Sequence, residues 1–145
     1  MKRIIAALMI CSIAATGAAV AQDSPIKKRQ SLMKKNGDDA KLITAMFKGE
    51  KPYDAAAAAG AVKSIGASMD EFITLFPEGS MSKDSEAKAE IWKKKADFEG
   101  WAAQVKEDTA KAVTAAAGGM ASLQPAFAEV GKSCRGCHES YRAEK

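Results

Sequence analysis

Two cysteines and the only histidine of this 145-residue sequence stand within five consecutive positions near the C-terminus. The segment 131–142 reads G-K-S-C-R-G-C-H-E-S-Y-R and is otherwise typical of a helix. Cys134 and Cys137 are three positions apart, so both thiols lie on one side of a helix, about one turn apart. His138 follows at once. The fold must therefore present two thiols and one imidazole at a single place on one helix.

The spacing C-x-x-C-H is that of c-type haem attachment. It predicts that Cys134 and Cys137 add to the two vinyl groups of the porphyrin and that His138 is the axial ligand of the iron. A zinc site needs four ligands, and a thioredoxin-like thiol pair needs a βαβ setting that this sequence lacks. A simple disulfide stays open as an alternative; it would close a very small loop, contribute little stability and leave His138 unexplained.

The first residues predict export. A basic start, Met1-Lys2-Arg3, precedes an apolar stretch that ends in Ala19-Val20-Ala21, which is a typical cleavage site. We therefore predict a signal peptide at 1–21, a cytochrome-type domain at 22–145 and a periplasmic location; an uncleaved anchor is the alternative. Cys11 would be discarded with the signal. No later segment is long and apolar enough to span a bilayer.

The charge balance argues against nucleic-acid binding. The full chain carries 22 basic and 18 acidic residues, for a net charge of +4. Removal of Lys2 and Arg3 with the signal leaves a small excess of positive charge, mixed with acidic residues along every segment. Such a surface lacks the basic patch that nucleic acid requires.

The composition favours an all-α fold. Alanine, lysine, glutamate and methionine dominate, and apolar residues recur with helical spacing. With Ser24 and Ser122 as N-caps, and with 79–84 as a long loop, we predict four helices at about 25–48, 53–76, 85–117 and 122–143. Short connections between amphipathic helices predict an up-down-up-down antiparallel four-helix bundle. Its small alanine-rich faces suggest that a cofactor fills part of the core.

This pattern resembles the class II cytochromes c, the cytochrome c prime superfamily, over nearly the whole mature chain. The segments that carry the resemblance are I-K-K-R-Q-S-L-M (26–33), K-P-Y-D (51–54), E-I-W (90–92) and C-R-G-C-H-E-S-Y-R (134–142). The resemblance implies a four-helix bundle with one covalently bound haem c. It also implies that Arg29 lies near the haem propionates and that Arg142 lies on the proximal side, near His138.

The resemblance also implies that Met33 occupies the distal position, on which the family divides. Members with an apolar residue there have five-coordinate, high-spin iron that binds NO or CO. Members with methionine there are six-coordinate, low-spin electron carriers. We therefore expect an electron carrier with His138 and Met33 as axial ligands, and we keep the five-coordinate gas-binding protein as the alternative. Neither role requires catalysis of substrate chemistry, so we expect that the protein is not an enzyme.

The residue inventory supports a methionine ligand independently, since no second histidine exists. In an antiparallel bundle, His138 lies roughly 10 Å and Met33 roughly 12 Å from the same end, at 1.5 Å per residue. Met69 falls at a similar level, so helix geometry leaves both methionines open and only the family position favours Met33. Met46 and Met120 lie too far along the bundle, and Met81 lies in a loop.

The expected partners are redox proteins of unknown identity. The lysines at 93–95 fit a solvated surface, with docking of an acidic redox partner as the alternative. The sequence leaves open whether the protein is a monomer or a homodimer paired through its first two helices.

Overall fold

The computed structural model describes residues 24–144, so the predicted signal peptide, with Cys11, lies outside the described residues. Within the described part the chain is helical, as predicted. It forms four long helices, a one-turn helix α3 and a short 3-10 turn. Their bounds are α1 Pro25–Phe47, α2 Ala55–Phe72, the 3-10 turn Ile73–Leu75, α3 Glu90–Lys93, α4 Lys95–Ala116 and α5 Met120–Tyr141.

Local sequence signals explain where the long helices begin. Pro25 opens α1, where its missing N–H costs nothing, and α1 continues through Gly37 without a break. The Asp54 carboxylate accepts a hydrogen bond of 2.9 Å from the Ala57 N–H and caps α2. Gly119, with φ +91°, precedes α5. The prediction that Ser122 caps the last helix was wrong, because Ser122 already lies inside it and its hydroxyl donates back to the Gly118 carbonyl.

The four long helices form the predicted four-helix bundle. The backbones approach most closely between α4 and α5, between α2 and α4, and between α1 and α2. The space between α1 and α5 is filled by side chains, since Ile43 and Met46 of α1 share a buried cluster with Leu123 and Val130 of α5. No helix within residues 24–144 has the length and apolar character to cross a membrane.

The third long helix begins ten residues later than the predicted position 85. The Lys88 N–H donates to the Tyr141 carbonyl at 2.9 Å, and the Ala143 N–H donates to the Glu86 carbonyl at 2.7 Å. Ala87 and Arg142 thereby form an isolated antiparallel bridge. Because these backbone groups pair with each other, residues 86–88 and 142–143 are not helical. The same pairing ends α5 at Tyr141 rather than at the predicted residue 143. The non-helical Lys94, with φ −125° and ψ 47°, separates α3 from α4.

Three apolar clusters follow one another along the bundle. The first, at the end where α4 turns into α5, is built around Ile43, Val62 and Leu123. The second lies in the middle and contains Ile65, Met69, Ala102 and Val105. The third lies at the end where α1 begins and is aromatic, with Phe76, Phe98 and Tyr141 packed edge to face. Cysteines of α5 touch all three clusters.

Candidate functional site

The two motif thiols lie one turn apart on α5 and face the interior of the bundle. Cys134 and Cys137 are half-buried free thiols. Cys134 packs against both the first and the second cluster, whereas Cys137 packs against the aromatic cluster. The motif therefore lies along the apolar interior rather than on the outer surface.

The interior keeps both thiols protonated in the haem-free chain. Burial, and to a smaller extent the negative charge of Asp108, raises the pKa of Cys134 above its usual value. Burial first, then the neighbouring Cys134 and Asp97, raises the pKa of Cys137 to about 11. A buried protonated thiol is a poor nucleophile. These surroundings do not favour a thiol–disulfide exchange site.

His138 stands where α5 meets the extended C-terminal residues. Its side chain is exposed to solvent on one side. The protein packed around the ring, and then the positive charge of Arg142, lower the pKa of the imidazole, and Glu86 acts in the opposite direction. The neutral imidazole that iron requires is therefore favoured. The Arg142 side chain also pairs with Glu86, with Nε lying 2.6 Å from Oε2. The backbone N–H of Arg142 donates to the His138 carbonyl at 2.9 Å.

Met33 of α1 is half-buried and packs on the second cluster, the same one that Cys134 reaches from α5. Met69 of α2 belongs to this cluster and is 5 % exposed. Met33 and Met69 thus pack in one cluster, which Cys134 also contacts. Met46 lies in the first cluster, and Met81 and Met120 are exposed.

Arg29 is buried, and its guanidinium holds the loop that follows α2. Nη1 donates to the Leu75 carbonyl at 3.0 Å and to Ser80 Oγ at 3.2 Å. Nη2 donates to the Ser80 carbonyl at 2.8 Å and to Ser85 Oγ at 2.6 Å. The carbon of the guanidinium lies 4.6 Å from the centre of the Phe76 ring. The structure therefore places Arg29 at the aromatic end of the bundle, with protein acceptors around it.

Three contacts beside the motif could not be predicted from the sequence. The Trp101 ring of α4 packs so closely on Gly136 that a Cβ at this position would overlap the ring. The Tyr141 hydroxyl donates to the Asp97 carboxylate, and this bond, together with burial, raises the pKa of Tyr141 to about 12. Asp108, a buried acid, accepts a hydrogen bond from Ser133, the residue before Cys134.

The residues present fit a covalently attached haem c. Two thiols line the apolar interior one turn apart, as the two vinyl groups require, and a histidine with a lowered pKa follows them. Two buried or half-buried thioether side chains lie in the cluster that Cys134 reaches. Soft sulfur donors and imidazole are the ligands that haem iron takes in cytochromes c.

Comparison with known proteins gives a consistent result. A family model described as Cytochrome C' matches residues 24–142. The chain is 38% identical over 120 residues to a cytochrome c' of Pararhodospirillum photometricum, covering 81% of this chain and 94% of that protein. It is 33% identical over 145 residues to a cytochrome c-556 of Agrobacterium fabrum, covering 100% and 97%. The structure superposes, with a TM-score of 0.75 and 31% identity, on the nitric oxide complex of a mutant cytochrome c prime from Alcaligenes xylosoxidans, covering 83% and 94%.

Proposed function

Since the chain belongs to the cytochrome c' family and is a c-type cytochrome with covalently attached haem c, we propose that it is a six-coordinate, low-spin electron carrier with His138 and Met33 as axial ligands. When bound, the haem supplies an iron that alternates between Fe(III) and Fe(II). A thioether ligand favours Fe(II) and raises the reduction potential relative to histidine.

The observation that supports this proposal most strongly is the meeting of Met33 and Cys134 in one cluster. Met33 of α1 and Cys134 of α5 both pack against the buried side chains of this cluster, which supports an iron site bounded by these two helices. Met33 is half-buried and packs on the apolar side chains of this cluster. A site closed by two protein ligands changes little on reduction and suits transfer of single electrons.

A second candidate function is binding of NO or CO by five-coordinate iron. Its support is the similarity to the cytochrome c prime from Alcaligenes xylosoxidans, whose mutant was solved as a nitric oxide complex. Under this alternative, Met33 lines an apolar distal pocket without binding the iron. The two functions differ in one observable, the spin state of the ferric protein.

The deciding experiment is a visible and EPR spectrum of the ferric holoprotein, repeated on Met33→Ala and on the matched variant Met69→Ala. We expect a low-spin wild type with the weak far-red sulfur-to-iron band. Met33→Ala should lose this band and become high-spin, whereas Met69→Ala should keep both features.

Two results would contradict the assignment. A wild type that is already high-spin, and binds CO readily when reduced, would favour the gas-binding function. Loss of the far-red band in Met69→Ala alone would make Met69 the ligand. Both variants remove one thioether from the same cluster, and Met69 is the more deeply buried of the two, so a loss of packing alone would not single out Met33→Ala.

We further propose export to the periplasm through residues 1–21 and electron exchange with redox partner proteins. The lysines at 93–95 are exposed at the start of α4 and carry the positive charge that an acidic partner would recognise. Reversing them to glutamate should slow electron exchange with an acidic partner at low salt. Sedimentation of the holoprotein decides between a monomer and a homodimer.

A further inference from the structure

Asp108 is the only buried acidic side chain among residues 24–144, and it lies against the haem-attachment helix. It stands on α4 and is 6% exposed. A buried carboxylate is costly unless donors surround it. Its neighbour in sequence, Glu107, is exposed on the same helix. The helix thus places two successive acids in opposite surroundings.

Two hydrogen-bond donors and one lysine surround the Asp108 carboxylate. The Ser133 hydroxyl donates to Oδ2, and the Gln104 amide donates to Oδ1 at 3.0 Å. Lys111 Nζ lies 4.0 Å from Oδ1, but its side chain is 64% exposed and pairs with Glu107 at 2.7 Å. Both oxygens of Asp108 are acceptors, as an ionised carboxylate requires. The nearest cation is largely solvated and offsets this charge only in part.

The hydrogen bond with Ser133 shows that the Asp108 carboxylate lies beside the first residue of the motif. Ser133 is itself 6% exposed and directly precedes Cys134. The negative charge of Asp108 contributes to the raised pKa of the Cys134 thiol, so its field reaches the attachment point. A field that disfavours a thiolate at this place also disfavours an additional electron there, because both add negative charge.

We propose that Asp108 is a positioning residue that holds the Cys134 turn of α5 through Ser133 and lowers the reduction potential of the attached haem through its buried charge. The reduction concerned moves one electron from a redox partner to the iron, from Fe(III) to Fe(II), and makes or breaks no bond. The effect requires the haem at Cys134 but holds with or without Met33 as ligand. Its failure would therefore leave the assignment of Met33 untouched.

The test is potentiometric titration of the holoprotein carrying Asp108→Asn, with Glu107→Gln as the matched control. Asparagine keeps the shape and can still accept from Ser133, so the variant removes mainly the charge. We expect Asp108→Asn to raise the reduction potential clearly more than Glu107→Gln does. Added salt should abolish the small effect of Glu107→Gln and leave most of the effect of Asp108→Asn, because ions screen exposed charges more than buried ones.

Asp108→Glu, which keeps the charge, should restore a potential near that of the wild type. The proposal is overturned if Asp108→Asn changes the potential no more than Glu107→Gln, or if added salt removes both effects equally.

A second variant, Ser133→Ala, distinguishes an effect of the Asp108 charge from an effect of the Asp108–Ser133 contact on structure. It also provides a test if Asp108→Asn does not accumulate as holoprotein. Ser133→Ala removes a hydrogen-bond donor from the Asp108 carboxylate, so the negative charge of Asp108 acts more strongly on the haem. The reduction potential should therefore fall below that of the wild type. A purely structural role predicts that Ser133→Ala, which breaks the same contact, shifts the potential in the same direction as Asp108→Asn. An unchanged or raised potential in Ser133→Ala therefore overturns the proposal.

Discussion

The Trp101 ring lies directly against the backbone of Gly136, the residue that precedes the second attachment cysteine. Trp101 belongs to the aromatic cluster that Cys137 also contacts. The glycine thus allows α4 to approach α5 at the point where the haem is attached. This contact gives the motif a packing requirement beyond its two thiols and its histidine.

We therefore expect Gly136→Ala to destabilise the holoprotein by about 1–3 kcal/mol, because the new Cβ overlaps the Trp101 ring and forces it to move. The matched control is Gly131→Ala on the same helix, where a Cβ meets nothing within 4 Å. In an exposed helix this control should gain about 0.5–1 kcal/mol. Chemical denaturation followed by circular dichroism measures both, and equal changes in stability would refute the packing requirement.

A second close approach joins α2 to α4. A Cβ at Gly66 would overlap Thr109 Oγ1, and Thr109 is 2% exposed and bonded to the Val105 carbonyl at 2.8 Å. Gly66→Ala should therefore cost about 1–3 kcal/mol by overpacking. Gly60→Ala, in the same helix and free of neighbours within 4 Å, should be neutral or stabilising. Thermal melting of both variants measures the difference. If Gly66→Ala lowered the melting temperature no more than Gly60→Ala, the expected overlap with Thr109 would be contradicted.

The bond from Tyr141 to Asp97 should make stability depend on alkaline pH. The folded state raises the pKa of Tyr141 to about 12, chiefly through this bond, whereas an unfolded tyrosine titrates near pH 10. The protonated phenol is therefore favoured by folding, so its stabilisation is complete below about pH 10 and is lost as pH rises toward 12. Tyr141→Phe should cost about 1 kcal/mol at neutral pH, and this difference should shrink over that range.

Melting of wild type and Tyr141→Phe across the alkaline range measures this difference. Asp97→Asn is the matched control, because it keeps an acceptor but removes the charge. In this control the ultraviolet phenolate signal of Tyr141 should appear at lower pH than in the wild type. A difference between wild type and Tyr141→Phe that stays constant with pH would contradict the prediction.

Arg29 is expected to contribute to stability through the loop after α2. Arg29→Gln removes most of its four hydrogen bonds and should cost about 2–4 kcal/mol, since buried acceptors are left without donors. Its exposed neighbour Gln30 makes one such bond, to the Asp84 carbonyl at 2.8 Å. Gln30→Ala should therefore change stability by less than about 0.5 kcal/mol. Chemical denaturation of Arg29→Gln and Gln30→Ala compares their stabilities. If Arg29→Gln changed the reduction potential but not the stability, the result would instead favour the predicted role of Arg29 at a haem propionate.

The features that could be predicted from the sequence are those fixed by neighbours along the chain. Helical spacing predicts the four long helices, and C-x-x-C-H predicts the attachment residues, because both patterns span few positions. The late start of α4 could not be predicted in this way. Residues 86–88, predicted as its first turn, pair instead with the C-terminal residues, and Ala87 and Arg142 are 55 residues apart, so only the folded bundle brings them together. A second break, at Lys94, separates the one-turn α3 from α4.

The contacts beside the motif escaped prediction for the same reason. Nothing local to Asp108 distinguishes it from Glu107, since both are acids on one helix, and only the packing of α4 on α5 buries the first. Gly136 likewise lies among good helix formers, and its role depends on where Trp101 arrives. For Met33 and Met69, helix levels gave two candidates, and the structure places both in one cluster.

Residues 77–89, between the 3-10 turn and α3, contain no buried side chain, and Met81 among them is 54% exposed. This segment is held by Arg29 at one end and by the bridge to the C-terminal residues at the other. Such a segment opens at a lower free energy than the bundle around it. The amide protons of Lys88 and Ala143, which close the bridge, should therefore exchange with deuterium together and well before those of α2 and α5. Such an opening would release the C-terminal residues beside His138, whose side chain is already exposed, while the bundle stays folded.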